Sequence, residues 1–220
     1  MFHVITIERE YGSGAGAIAA QLARQLNWTL WDKRLTDEIA RLANVDRSAV
    51  VRCDERCDGR LYRLAKTFWR GSYEASSHLS GQTFDTDRMM SMMEEITARI
   101  AREGNAVVVG RGAPFFLRDH PDAFHVFLYA PRGEKVRRLI EDGATRSDAE
   151  GLVDVVDRER KAFVKHYFDS EWPTRSLYHV MVNTGIGNGP VIDTILHVMR
   201  MVDGRPKATD YDPAQVSVPS

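Results

Sequence analysis

The sequence predicts an α/β protein of three layers, α/β/α, with helices on both faces of a mostly parallel five-stranded sheet. Three observations predict it. Short runs rich in β-branched residues alternate with longer stretches whose apolar residues recur at helical spacing, the pattern of strand–helix–strand crossovers. One run, AVVV at 106–109, is apolar without interruption, as expected of a strand buried on both faces. The first strand runs into a glycine cluster, Gly12-Ser13-Gly14-Ala15-Gly16, out of which a helical pattern rises.

Taken in order, His3 to Ile7 reads as a short buried strand (Val4, Ile5, Thr6, Ile7). Ile18, Leu22 and Leu26 then recur at helical spacing among alanines, predicting a helix from about Ala15 to Gln25 that packs closely on a sheet. Trp28 to Trp31 is a second strand, ended by Asp32. Helices follow at Thr36–Ala43 and Asp46–Val51, and another stretch runs from Gly59 to Tyr73 with Leu61, Leu64, Ala65 and Phe68 on one side. A polar loop, Ser76 to Gln82, leads into a long helix, Thr83 to Arg102. Its Met89, Met90, Met92 and Met93 share helical spacing with Ile96 and Ile100, which points to core packing or a homodimer interface rather than a cofactor. After AVVV comes Gly110-Arg111-Gly112. Phe124 to Tyr129 is the next strand, closed by Ala130-Pro131, with a helix at Glu134–Glu141. Asp148 to Phe168 is a long charged helix, His179 to Asn183 the last strand, and Pro190 to Val202 the last helix. The tail 204–220 has few apolar residues and is expected to be disordered.

Composition bounds the function. The chain of 220 residues, 43% hydrophobic and 28% charged, supports one domain over 1–203 with a substantial core. A net charge of -1 gives no reason to expect nucleic acid or an anionic membrane as partner. No run approaches the roughly 18 apolar residues of a membrane span, and the N-terminus becomes charged too early for a signal peptide. The expectation is a cytoplasmic protein. Cys53 and Cys57, a lone C-x-x-x-C pair, read as reduced thiols.

In folds of this kind ligands bind beyond the carboxyl ends of the strands. The residues placed there are Arg9 to Gly16, Asp32, Arg111, Pro131 and Asn183. Gly12, Gly14 and Gly16, between a strand and a helix, let backbone N–H groups turn toward an anion, aided by the helix dipole. A complete phosphate loop, G-x-x-x-x-G-K-[ST], adds a lysine for the terminal phosphates and a hydroxyl for magnesium. Here Ala17 and Ile18 follow Gly16 instead. The loop alone is equally compatible with a turn that merely fits a helix against a sheet. Asp157 and Arg160 form a D-x-x-R pair on the charged helix; a solvated helix with ion pairs Asp154–Arg158 and Asp157–Lys161 is the alternative.

Six stretches carry a family likeness: ITIEREYGSG (5–14), LWDKRL (30–35), VVVGRGAPFFL (107–117), HVFLYAP (125–131), VDRERKAFVKHYF (156–168) and YHVMVNT (178–184). In this order and spacing the sequence resembles the cytidylate kinase-like family, a branch of the P-loop nucleoside monophosphate kinases. The resemblance implies a P-loop kinase-like fold with an acceptor-binding helical region at about 33–104 and a helical lid at about 143–175. It implies ATP and Mg2+ as cofactors, with transfer of the γ-phosphate to a nucleoside monophosphate, CMP-like, or a related small-molecule acceptor. Gly12, Ser13, Gly14, Ala15, Gly16 and Ala17 would then bind the nucleotide. Arg111, where cytidylate kinases have G-R-D, Asp157 and Asp32 would serve the acceptor, Asp32 being equally suited to cap the following helix. Arg158, Arg160 and Arg9 are the candidate catalytic cations.

The sequence also departs from the family pattern. Where the family often has G-S-G-G-R-E-I-A, this chain has Gly12-Ser13-Gly14-Ala15-Gly16-Ala17-Ile18-Ala19, and His179 replaces an aspartate in the last strand motif. Charge at the loop must come from Arg9, Lys33 or the lid arginines. Ser13 and Thr6 are the hydroxyls left for magnesium, whose ligands stay unassigned. The same departures support an alternative function, a catalytically weakened nucleotide-binding sensor or interaction protein.

Overall fold

The computed structural model of the chain describes residues 1–32, 34, 35, 37, 38, 41 and 86–203. The helices expected at 46–51 and 59–73, the loop 76–82, Lys33, both cysteines and the tail 204–220 lie outside the described residues. Of the helix expected at 36–43, residues 37, 38 and 41 are described, and they are helical.

Five parallel strands form one sheet in the order β2-β3-β1-β4-β5. They are β1 (Val4–Arg9), β2 (Thr29–Trp31), β3 (Ala106–Val109), β4 (Ala123–Tyr129) and β5 (Val180–Asn183). β1 is central: Val4 pairs with Ala106 on one side and Ala123 on the other, and Ile7 with Val109 and Val126. Alternation sends Ile5 and Ile7 to one face, and Val4, Thr6 and Glu8 to the other.

The first face is covered by α1 (Ala15–Leu26) and by the last helix, α6 (Asn188–Asp203). Ile5, Ile7, Val107, Val109, Phe124, Val126 and Leu128 pack there against Ile18, Leu22, Val191 and Ile195. α1 ends at Asn27, whose left-handed backbone (φ 55°) turns its N–H back to the Ala23 and Arg24 carbonyls.

The second face carries α2 (Thr86–Glu103), a four-residue turn of helix α3 (Ala113–Phe116) and α5 (Arg146–Phe168). Met93, Ile96 and Ile100 of α2 meet Val4, Val108 and the Phe163–Val164 end of α5, with Met90 and Met92 partly buried against the same cluster. Core packing thus accounts for Met93 and in part for Met90 and Met92. The buried residues of α5, Ala149, Val153, Val156, Arg160, Phe163 and Val164, follow helical spacing, and Thr145 caps its start by accepting the Asp148 N–H.

Between β4 and α5 lies α4 (Arg132–Glu141), beginning directly after Pro131. Among the described residues, no helix is long and apolar enough to cross a membrane.

Phe2 donates its N–H to Asp203 Oδ1 at 3.0 Å, and the terminal ammonium of Met1 lies 3.3 Å from the same oxygen. The last helix therefore holds the start of β1.

Candidate functional site

The glycine loop stands at the carboxyl end of the central strand. Beyond Arg9 the chain passes through Gly12 (φ 73°) to Gly14 (φ 76°), which sits at the start of α1. No side chain caps α1, and no acidic residue lies in its first turn. Gly16 and Ala17 are exposed, and the space where a Gly16 side chain would project is open. The unbonded N–H groups and dipole of this helix end favour an anion. Ser13 is 1% exposed, and its hydroxyl has no hydrogen-bond partner.

Two cations from α4 reach this loop, and neither was among the residues singled out in the sequence. A Cβ on Gly12 would lie 3.0 Å from Lys135 Cβ and 3.1 Å from its carbonyl oxygen, so the loop needs glycine for space as well as for φ. Lys135 Nζ donates to Glu10 Oε2 (3.0 Å) and Asp157 Oδ2 (2.9 Å). Burial alone would depress this ammonium. The bonds and charges of Asp157 and Glu10 outweigh burial and hold its pKa above the ordinary value.

Arg138, one turn on, donates to the Ser13 carbonyl, to Thr184 Oγ1 (2.8 Å) and to the Thr184 carbonyl (3.0 Å). Thr184 Oγ1 in turn donates to the Ser13 carbonyl at 2.6 Å. Arg138 therefore braces the outside of the loop to the end of β5. A K-x-x-R pair on a helix that begins at the carboxyl end of a strand beside β1 is the signal that could have pointed to both residues.

The D-x-x-R pair of α5 turns inward. Asp157 Oδ1 accepts the Tyr11 N–H at 2.7 Å. Arg160, 4% exposed, donates to the Arg9 carbonyl at 2.9 Å and lies over the Tyr11 ring. Burial first, then the like charge of Arg9, bring its pKa down to about 10. The ion pairs differ from the expected ones: Asp157 joins Lys135 and Arg160, and Asp154 joins Arg132 at 2.9 Å.

Arg158 lies on the exposed face of the same helix, away from Asp157 and Arg160. Arg9 is 8% exposed, and its guanidinium occupies the space beside Gly110. Arg111 is buried in left-handed backbone (φ 59°), between Gly110 and Gly112. Asp32 is half-buried just past β2.

Two residues considered in the sequence belong elsewhere. Thr6 Oγ1 bonds His125 Nδ1 at 2.7 Å inside the sheet, so it is not a magnesium ligand. His179 precedes β5 at the opposite end of the sheet from Asn183 and Thr184, accepting the His125 N–H and stacking on Phe124. Its substitution for aspartate alters the floor of the sheet rather than the loop.

The uncapped helix start and the unpartnered Ser13 hydroxyl fit a phosphate group. No cluster of three metal-ligating side chains exists among the described residues. The chain matches the cytidylate kinase-like family over residues 4–186. It belongs to that family.

Solved structures share its architecture. A protein from Eubacterium ventriosum is 20% identical with TM-score 0.65, covering 93% of this chain and 100% of that one. Shikimate kinase from Acinetobacter baumannii, in complex with shikimate, is 15% identical with TM-score 0.54, covering 93% and 97%. Shikimate kinase from Bacteroides thetaiotaomicron is 14% identical with TM-score 0.51, covering 91% and 98%. At these identities the likeness is one of fold: a P-loop kinase-like α/β sheet, all parallel. No curated protein matches the chain.

Proposed function

We propose that this family member is an ATP-dependent phosphotransferase that moves the γ-phosphoryl group to a nucleoside monophosphate, CMP-like, or a related small acceptor. The observation that carries the reading is the start of α1, uncapped and free of acids behind two positive-φ glycines, in a chain of a kinase-like family. In this reading the N–H groups of Gly14 to Ala17 hold the nucleotide phosphates, and Arg138 and Thr184 fix the Ser13 carbonyl so that the loop keeps its shape. Magnesium would arrive with ATP and neutralise phosphate charge, with Ser13 Oγ the hydroxyl available to it. Arg160, set by Asp157 and the Arg9 carbonyl, supplies positive charge from the lid side.

Purified protein with Mg-ATP and a panel of nucleoside monophosphates and shikimate is expected to form ADP with at least one acceptor. Gly14→Val should abolish nucleotide-dependent thermal stabilisation. ADP formation with none of the panel, together with no stabilisation by ATP, would sink the proposal.

A second reading, a nucleotide-binding module without turnover, is favoured by Lys135 being held by two carboxylates near a loop without its own lysine. ATP binding with a rate that Arg160→Ala leaves unchanged would select it.

A further inference from the structure

Glu8 is a buried carboxylate that binding at the glycine loop does not use. It is the last residue but one of β1, just ahead of the loop, on the face that carries α5. Its Oε1 accepts the Arg9 N–H at 3.1 Å. Among the described residues this is its only hydrogen bond, and no ion pair joins it to a cation. Burial and the charge of Arg9 lower the Arg160 pKa, and Glu8 is the foremost charge opposing them.

A carboxylate at this place discriminates between acceptors. The oxygen of a monophosphate is already ionised at neutral pH and needs no base, and beside Glu8 it would meet a like charge away from water. A hydroxyl is neutral, donates a hydrogen bond to a carboxylate, and must lose its proton as the phosphoryl group arrives.

The neighbouring side chains suit such an acceptor. Phe127 pairs with Glu8 in register, so the two stand side by side on this face. The rings of Tyr178 and Trp172 pack on Phe127, with centroids 5.1 and 5.5 Å away. The Tyr178 hydroxyl and the Trp172 indole N–H are buried without a hydrogen-bond partner. Burial, then the charge of Glu8, raise the Tyr178 pKa, so the phenol keeps its proton and stays a donor. Buried donors are rarely left unmatched. Two of them beside a carboxylate with an oxygen to spare complement a neutral molecule that carries several hydroxyls.

We infer that Glu8 is the general base of the transfer and that the acceptor is a neutral polyol, seated against Phe127, Tyr178 and Trp172. The acceptor oxygen forms a bond to the γ-phosphorus of ATP as the bond from that phosphorus to the β–γ bridging oxygen breaks. ADP leaves, and the hydroxyl proton passes to Glu8. The inference rests on the phosphotransferase reading and narrows its acceptor to an alcohol.

The test follows ADP formation from Mg-ATP with two sets of acceptors: nucleosides, ribose and shikimate, and nucleoside monophosphates. Wild type should turn over at least one alcohol. Glu8→Gln keeps the volume and an oxygen for the Arg9 N–H but cannot take a proton. It should lower kcat about 100-fold or more, with KM for ATP and stabilisation by ATP near wild type. Glu8→Asp should recover part of the rate. A merely structural carboxylate would lower the melting point and leave kcat per folded molecule unchanged in Glu8→Gln, which overturns the inference. If Glu8→Gln does not fold, Glu8→Asp decides: a reduced kcat at an unchanged melting point supports the base, and wild-type kcat overturns it.

Failure here and failure of the phosphotransferase reading can be told apart. Turnover of monophosphates alone upholds the kinase and overturns the alcohol acceptor. Stabilisation by ATP with no turnover of either set selects the binding module and overturns the base. Neither stabilisation nor turnover removes the phosphotransferase itself.

Discussion

The two faces of the sheet are made of different material. Against α1 and α6, β1 presents Ile5 and Ile7, which join a cluster of apolar side chains. Against α2, α3 and α5 the same strand presents Val4, Thr6 and Glu8, and buried polar groups follow: Thr97, His125 and Arg160. A single strand of six residues thus serves as core on one side and as polar scaffold on the other. The dry face positions the loop by holding α1 rigidly. The polar face brings charge to it, because the elements reaching the loop from that side carry Asp157 and Arg160. Alternation in β1 keeps the two jobs apart.

That division can be broken from either side. Leu22→Ala on the dry face should cost about 3 kcal/mol by leaving a cavity, seen as a lower urea midpoint, while ligand affinity at the loop stays near wild type. Lys135→Met should leave Glu10 and Asp157 facing each other and cost about 2 kcal/mol. A double-mutant cycle with Asp157→Asn should recover much of that loss, and additive losses would show that the contact does not couple them.

The smallest effect is a pH dependence from the polar face. Burial, then the nearby His179, bring the His125 pKa from 6.5 to about 4. The unfolded chain therefore binds the extra proton first. Stability is complete above about pH 6.5 and declines as pH falls toward 4, losing about 1.4 kcal/mol by pH 5.5. His125→Gln should flatten this slope between pH 7.5 and 5.5; an unchanged slope would assign it to other groups.

The sheet was legible because its strands are short β-branched runs in a strict strand–helix rhythm, and each observed strand and each of the longer helices α1, α2, α4, α5 and α6 falls within a few residues of its expectation. The turn of α3 was missed: APFF is four residues, too short for any period to show. The place of the loop was legible because its glycines fall between a strand-like run and a helical pattern. The two lid arginines could have been separated by phase, since residues two apart point to nearly opposite sides of a helix, and Val153, Val156 and Phe163 put Arg160 inside. Lys135 and Arg138 were hidden for a different reason. On α4 they stand among Glu134, Arg137 and Glu141 and look like a solvated ladder of ion pairs, and only folding brings Lys135 to Glu10, 125 residues away. The match of Arg9 to Gly110 is equally long-range, and neither residue type announces it.

The grip of Asp203 on Met1 and Phe2 has a consequence in time. β1 is made first, yet its neighbours β3 and β4 begin at residues 106 and 123, and the helix that clasps its beginning ends at 203. At about 5–20 residues per second, the first strand waits about 10–40 s for the helix that secures it. Through that interval the glycine loop has sequence without a scaffold. A ribosome-bound chain should order this loop only once residue 203 has emerged, in one late step rather than by gradual accumulation.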